Sequence, residues 1–188
     1  DLEGRPISGV GIEVNTIYVS SNESLDTWLK AARNGELAWY DVKHFPRQIE
    51  PRMLGVPKTA TTDSDGEFSI KGLGRERYIH LHVHGNGIAL DDFRVATRTM
   101  DPLTWNDLGP VVYGLDFTYA GRPSRSVNGT VTDAMTGMPL AGVEVGVEMI
   151  SGKYTSGGWQ LPTKSNSLGQ FQIDGMPKGK GNRLMFRP

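Results

Sequence analysis

His80, His82 and His84 alternate within Tyr78-Ile-His-Leu-His-Val-His84, the densest concentration of chemically capable side chains in a chain of 188 residues. On a β-strand, side chains two positions apart leave the same face about 7 Å from one another. Two imidazoles so placed hold one zinc or iron ion, with His44 or a carboxylate as the candidate third ligand. The plainer account gives Ile79, Leu81 and Val83 the buried face. The histidines then occupy a face that is solvated or covered by other chain, and no cofactor is needed. A second cluster, Asp63-Ser-Asp65-Gly66-Glu67, gathers carboxylates on a tight turn as calcium would require. It lacks a later bidentate acid, and a hairpin turn with an Asx bond and a glycine at positive φ explains it as well. Third, Trp28, Trp39, Tyr40, Phe45, Trp105 and Trp159 lie mostly where loops are expected. Such rings stack on a glycan or a protein partner, or they close loops and pin a helix, which is the commoner fate of large aromatics.

Other chemistry is missing at the level of motif. There is no G-x-S-x-G elbow, phosphate loop, H-E-x-x-H or helix with paired carboxylates, so no residue is nominated as catalytic acid, base or nucleophile. The absence of cysteine removes disulfides, thiolate metal sites and a cysteine nucleophile. Twenty Lys plus Arg balance 21 Asp plus Glu for a net charge of −1, so no excess charge draws the chain to nucleic acid or an anionic membrane. No apolar run approaches the roughly eighteen residues of a membrane span, and no basic, apolar leader opens the sequence. Asn22-Glu-Ser24 and Asn128-Gly-Thr130 are glycosylation sequons, meaningful only in a host that glycosylates.

The elements that position these residues follow from a repeat. Asp1-Leu-Glu-Gly-Arg-Pro6-Ile7-Ser-Gly9-Val10-Gly-Ile12-Glu-Val14 returns as Asp133-Ala-Met-Thr-Gly-Met-Pro139-Leu140-Ala-Gly142-Val143-Glu-Val145-Gly-Val147. A second half returns too: Thr62-Asp63-Ser-Asp-Gly66-Glu-Phe68-Ser-Ile70-Lys-Gly72 matches Ser165-Asn166-Ser-Leu-Gly169-Gln-Phe171-Gln-Ile173-Asp-Gly175. Val10, Ile12 and Val14, like Val143, Val145 and Val147, alternate with small or polar residues, the pattern of a strand with one buried face. Phe68/Ile70 and Phe171/Ile173 predict a further strand in each copy, and Tyr78–Val83 and Arg183–Phe186 another. With 24 glycines, 11 prolines and 37% apolar residues, the composition agrees with a turn-rich all-β protein. We therefore expect two tandem antiparallel β-sandwiches of transthyretin-like or Ig-like kind, spanning residues 1–120 and 121–188 with a Gly/Pro/Ser hinge at Ala120–Ser124.

The first copy is longer. Val14 to Phe68 spans 54 residues against 24 from Val147 to Phe171, an excess of about thirty that places an insertion at about 15–58. Within it, Ser24 as cap, apolar Leu25, Trp28, Leu29 and Ala32, and Gly35 as stop predict a short amphipathic helix laid on the sandwich, followed by a loop with Pro46, Pro51 and Pro57. Ser126–Thr132 reads as a strand leading into Asp133. Nothing in the sequence matches it ahead of Asp1, and nothing after Phe186 matches Val111–Tyr119. The first copy is expected to lack its opening strand and the second its last, as in a fragment of a longer chain with sheet edges to cover.

The ordered pair D-x(2,3)-G-x-P-[IL]-x-G-V-x-[IV]-x-V and [DN]-x-x-G-x-F-x-I-x-G-[LM], present twice, resembles the carboxypeptidase regulatory-like domain. That resemblance implies a transthyretin-like sandwich of about seven strands, found in tandem in secreted and surface proteins of bacteria. It implies a structural or binding appendage, not a catalyst. Gly74-Arg-Glu-Arg77 departs from the family's turn before its tyrosine strand, which Pro177–Gly181 keeps. The expected role is a non-catalytic spacer or adhesive face of an exported bacterial protein, extracellular, surface-bound or periplasmic, needing no cofactor. Its partners would be other domains of the same chain and a surface protein or glycan. The rival is an iron enzyme. Thr62-Asp63-Ser-Asp-Gly66 followed by His80-Leu-His82 resembles the hairpin and H-x-H strand of intradiol ring-cleavage dioxygenases, with Tyr78 and Tyr40 as phenolate donors, although the spacing is short for that family.

Overall fold

A computed structural model describes residues 1–36, 43–85, 87–104, 111–150, 153–154 and 160–188. The chain is mostly β, with one short helix among the described residues. It divides into two compact units. One contains Pro6–His84 and Asp91–Ala120; the other contains Asp1–Arg5, Gly85–Leu90 and Gly121–Pro188.

The first of these is built on β1 (Gly11–Val19). Ile12 and Val14 are buried on even positions, and Ile17 and Val19 on odd ones. The change of parity is made by a bulge between Val14 and Thr16, which keeps all four on one face of the sheet. On one side β1 pairs with β2 (Arg47–Ile49) and with β3 (Thr59–Thr61); on the other lie β4 (Arg77–Gly85), β5 (Ile88–Ala96) and β6 (Val112–Tyr113). The β5–β6 ladder is parallel, the one departure from antiparallel pairing among the described ladders. β2 falls where the sequence suggested only a proline-bounded loop. Pro46 and Pro51 flank it and hold it to three residues at the sheet edge.

Helix α1 (Asp26–Arg33) covers the other face of the sheet. Leu25, Trp28, Leu29, Ala31 and Ala32 pack with Phe45, Tyr78, Ala96 and Val112. The Trp28 and Tyr78 ring centroids are 4.8 Å apart, and Phe45 stacks on Tyr78 at 5.1 Å. The helix opens one residue later than a Ser24 cap implies. Ser24 Oγ accepts from Asp26 N at 3.1 Å, while the Leu25 amide donates to Glu76 Oε2 at 2.9 Å, a tertiary cap with no local sequence signal. Its end is as expected. Gly35 sits at φ +69° and donates to Ala32 O at 3.1 Å, while Glu36 donates to Ala31 O at 3.0 Å, a Schellman ending.

The other unit holds β7 (Ser124–Thr130), β8 (Glu144–Ile150), β9 (Lys153–Tyr154), β10 (Gln160–Lys164), β11 (Gln170–Pro177) and β12 (Arg183–Arg187). One sheet runs β10-β8-β12 with β9 also on β8; the second is β11-β7. Val145, Val147, Phe171, Ile173 and Met176 form its core, joined by Val127, Val131, Leu161 and Leu184. Fully burying a side chain such as Val145, Val147 or Ile173 contributes about 1.5–3 kcal/mol.

The same hydrogen bonds occur in both units at the positions that match in sequence. Thr62 Oγ1 accepts from Val10 N at 2.9 Å and donates to Ile7 O at 2.7 Å; Ser165 Oγ accepts from Val143 N at 3.0 Å and donates to Leu140 O at 2.7 Å. Asp63 Oδ1 accepts from Asp65 N and Glu67 N at 3.0 and 2.9 Å, as Asn166 Oδ1 does from Leu168 N and Gln170 N, both at 2.9 Å. Gly66 and Gly169 sit at φ +73° and +71° in those turns. One element differs. Phe68 and Ile70 are half-buried with Ser69 exposed between them, so the alternation persists, yet Phe68–Ile70 belongs to no ladder. The matching β11 is a strand because β7 lies beside it. Among the described residues, no strand lies beside Phe68–Ile70.

Candidate functional site

β4 lies between β1 and β5, so both of its edges are paired and its side chains project to the two faces of the sheet. Ile79, Leu81 and Val83 are buried at 0%, 3% and 1% exposure, opposite Ile17, Val14 and Ile12. The histidines share the opposite face with Tyr78, which carries α1. That face is graded along the strand: an aromatic end under the helix at Tyr78, then His80, His82 and His84 opposite Thr16, Glu13 and Gly11.

His80 is buried. Its Nε2 donates to Asp92 Oδ2 at 2.9 Å, and Arg94 Nη1 donates to the same oxygen at 2.8 Å. Burial by itself would raise the Asp92 carboxyl. The hydrogen bond from His80 and the adjacent Arg94 guanidinium outweigh it and hold Asp92 well below the usual carboxylate range. Tyr78, beside Arg94, is pushed up to about 12 by burial, so its phenol is neutral at ordinary pH. The rings of His80 and His82 meet edge to face with centroids 5.0 Å apart. Asn15, at the β1 bulge, offers its side-chain amide to His82 Nε2 at 3.2 Å, which makes that nitrogen an acceptor and the ring neutral. Burial, and then the neighbouring His80, push the His82 imidazole below its ordinary value. Glu13, opposite His82, pairs with Lys58 at 2.8 Å. The His84 ring lies over Gly11: a Cβ there would stand 2.8 Å from its Cε1.

The imidazoles are thus brought into one row, as alternation requires, and two of them are already hydrogen-bonded to Asp92 and Asn15. An ion would have to displace both bonds. Among the described residues, no group of three or more His, Asp or Glu is disposed to hold a metal ion. His44 lies on the segment before Phe45, away from β4 in the chain. Asp63 spends Oδ1 on the two amides of its own turn, the hairpin arrangement weighed against calcium. Trp28 is 3% exposed, with its rings against Tyr78 and Phe45, the packing role. Trp39, Tyr40, Trp105 and Trp159 lie outside the described residues.

Asp92, Arg94 and Asn15 were missed by reasoning from sequence. Asp92 lies on β5, beside β4 in the sheet, and no spacing in the sequence fixed the register that brings it to His80. Asn15 had no signal either, because its placement depends on the bulge.

No protein-family model matches the chain, and none of the curated proteins matches it. Among solved structures, the shaft pilin SpaA from Lactobacillus rhamnosus GG aligns with 95% of this chain and 76% of its own at 16% identity and a TM-score of 0.28. A streptococcal ancillary pilin aligns with 100% of this chain and 56% of its own at 16% identity and a TM-score of 0.29. GBS52, the minor pilin of Streptococcus agalactiae, aligns with 96% and 78% at 14% identity and a TM-score of 0.23. Likeness at this level carries no argument about fold or activity. The fold defines the class: a β-rich chain of several antiparallel sheets with one short α-helix among the described residues. No helix among the described residues is long and apolar enough to cross a membrane.

Proposed function

We propose that the chain is a non-catalytic structural module, two copies of one β-sandwich unit akin to the carboxypeptidase regulatory-like domain, divided near residue 120. It would belong to a longer exported bacterial surface protein, in which it acts as a spacer or presents a face to another domain, a surface protein or a glycan. The observation that carries this reading is what the two copies share. The recurring groups are the Thr62/Ser165 hydroxyl, the Asp63/Asn166 turn and the Gly66/Gly169 close approach, and all of them hold strands together. The histidine row belongs to one copy alone, since β12 carries Arg183-Leu-Met-Phe186 at the matching place. Within that row, His80 is held by Asp92 of β5, whose carboxylate also accepts from Arg94.

The test is elemental analysis of the purified chain beside a His80→Ala/His82→Ala variant, after incubation with iron(II) and with zinc. Sub-stoichiometric metal in both supports a structural module. One equivalent in the native chain that vanishes in the variant would replace this reading with the metal-dependent one. A glycan-binding face predicts saturable quenching of tryptophan emission by cell-wall sugars, and a flat titration across a broad panel restricts the module to protein partners.

A further inference from the structure

The net charge of −1 conceals a division. Residues 1–120 hold twelve Lys and Arg against seventeen Asp and Glu, a balance of −5, whereas residues 121–188 hold eight against four, a balance of +4. Within the second stretch, four positive groups gather at one end of the unit. Arg125, at the start of β7, is opposite Met176 near the end of β11. β11 then runs through Pro177 into Lys178-Gly-Lys180-Gly-Asn182, a turn tied back by Asn182 Nδ2, which donates to Pro177 O at 2.9 Å. β12 opens directly afterwards on Arg183. All four basic side chains are exposed. Among the described residues, Arg125, Lys178 and Lys180 form no ion pair, and Arg183 meets Glu148 at 3.5 Å.

A polar strip leads to this end. β7 and β11 form a two-stranded ladder whose inner side chains, Val127, Phe171 and Ile173, join the core. Alternation turns the others outward: Thr130 opposite Gln170, Asn128 opposite Gln172, and Ser126 beside Asp174, all exposed. Three amides, two hydroxyls and a carboxylate thus share one face and offer donors and acceptors side by side. Ser126 Oγ donates to Asp174, and Gln172 Nε2 donates to Asp174 Oδ1 at 2.9 Å; the two bonds hold that carboxyl below the usual range. In the first unit, among the described residues, no strand lies beside Phe68–Ile70, so the corresponding strip is not formed.

A ligand that uses both features carries hydroxyls along its length and anionic groups at intervals. Sugar hydroxyls donate and accept, which amides and hydroxyls satisfy together. Ammonium and guanidinium groups take carboxylate or sulfate. A nucleic acid fits poorly, since ionised Asp174, between the amides and the basic end, repels a backbone charged at every nucleotide. A membrane fits poorly as well, because Lys178–Asn182 has no apolar side chain to enter lipid.

We propose that the outer face of the β7–β11 ladder, with the basic end at Arg125, Lys178, Lys180 and Arg183, binds an anionic polysaccharide. This rests on the surface-module reading and gives its glycan face a place and a ligand class.

Fluorescein-labelled oligogalacturonate and dextran sulfate, which carry carboxylate and sulfate in turn, are titrated with the purified chain and followed by anisotropy. Unsulfated dextran and a single-stranded oligonucleotide of equal charge run beside them. Binding to an anionic saccharide is expected, tighter than to the oligonucleotide and absent with dextran, and the tighter of the two saccharides identifies the anionic group. Lys178→Gln/Lys180→Gln weakens it by roughly tenfold and flattens its salt dependence. Asn128→Ala/Gln172→Ala weakens it with the salt dependence unchanged. Lys71→Gln/Arg75→Gln, which removes equal charge from exposed positions of the first unit, leaves it intact. No binding to either saccharide overturns the proposal, and so does an equal loss in the Lys71→Gln/Arg75→Gln variant, which would mean bulk charge alone. Native-like binding by Asn128→Ala/Gln172→Ala overturns it too, because the strip would then touch no sugar. Oligonucleotide binding as tight as saccharide binding refutes the ligand class. Absent saccharide binding with sub-stoichiometric metal refutes this site only, whereas a stoichiometric metal lost with His80 and His82 refutes the module reading beneath it.

Discussion

Thr62 and Ser165 hold equivalent places in two separate compact units, each using one buried hydroxyl to accept an amide from the start of a strand and to donate to a carbonyl three residues before it. A hydroxyl is the smallest group that does both, and its loss strands two backbone groups at once. Thr62→Val keeps the shape and is expected to cost about 1–3 kcal/mol, and Ser165→Ala a similar amount, because buried unpaired groups bear their full desolvation penalty. Urea unfolding of each variant is the measurement. A neutral Thr62→Val would show that the clip is decorative, while Thr62→Ser should stay close to the native midpoint.

Glu76 acts at a distance along the chain. One oxygen accepts the Leu25 amide and the other accepts Arg98 Nε at 3.1 Å, while Arg98 reaches Asp26 at 2.7 Å. Glu76→Ala removes the cap of α1 and the anchor of Arg98, and a loss of about 1–2 kcal/mol is expected, the range of helix caps. Exchange at the Leu29 amide, bonded to Leu25 O at 2.8 Å, should accelerate while β11 amides stay protected. Equal acceleration in β11 would mean a global effect and refute the local cap.

The first unit should weaken in acid in two stages. His82 has a folded pKa depressed below its ordinary 6.5, so its contribution is present above 6.5 and is lost as pH falls from there toward the folded value. Asp92 is likewise depressed from 3.8, so its contribution is present above 3.8 and is lost only as pH falls below that point. Denaturation midpoints between pH 8 and pH 3 would show both. His82→Gln should flatten the upper stage. Asp92→Asn should flatten the lower one and also weaken the unit at neutral pH, since His80 and Arg94 lose their shared charged acceptor. Stabilisation on acidification would contradict the assignment of His82 as a neutral acceptor.

Two glycines should respond differently to the same substitution. A Cβ at Gly114 would run into the backbone of Met100, with Met100 N at 2.9 Å, whereas at Gly11 it would meet the tip of the half-buried His84 ring at 2.8 Å. Backbone cannot step aside and a ring can. Gly114→Ala is expected to cost about 1–3 kcal/mol, as overpacking does, and Gly11→Ala less. Thermal midpoints in the reverse order would refute this.

Period-two patterns survive translation into structure because they need only local alternation. Ile12 with Val14, Ile79 with Leu81 and Phe171 with Ile173 were readable at once, as were the glycine turns at Gly66 and Gly169, where positive φ is a local demand. The α1 helix was legible from Trp28, Leu29 and Gly35, but its cap was not, since Glu76 is fifty-one residues from Leu25. Phe68–Ile70 shows the opposite failure: the right alternation, and no strand, because a ladder needs a neighbour.

The order of amino acids alone established the β class, the recurrence of one strand-and-turn pattern, the place of the helix and the single face shared by three imidazoles, since each depends on residue type and spacing along the backbone. Folding decided what those imidazoles touch. Asp92 on β5 reaches His80 on β4, Asn15 reaches His82 only because a bulge shifts β1 by one residue, and Trp28 is packed against rings from two other segments, Phe45 and Tyr78. These are encounters between distant parts of the chain, and their energies come from burial and hydrogen bonds that exist only once those parts have met.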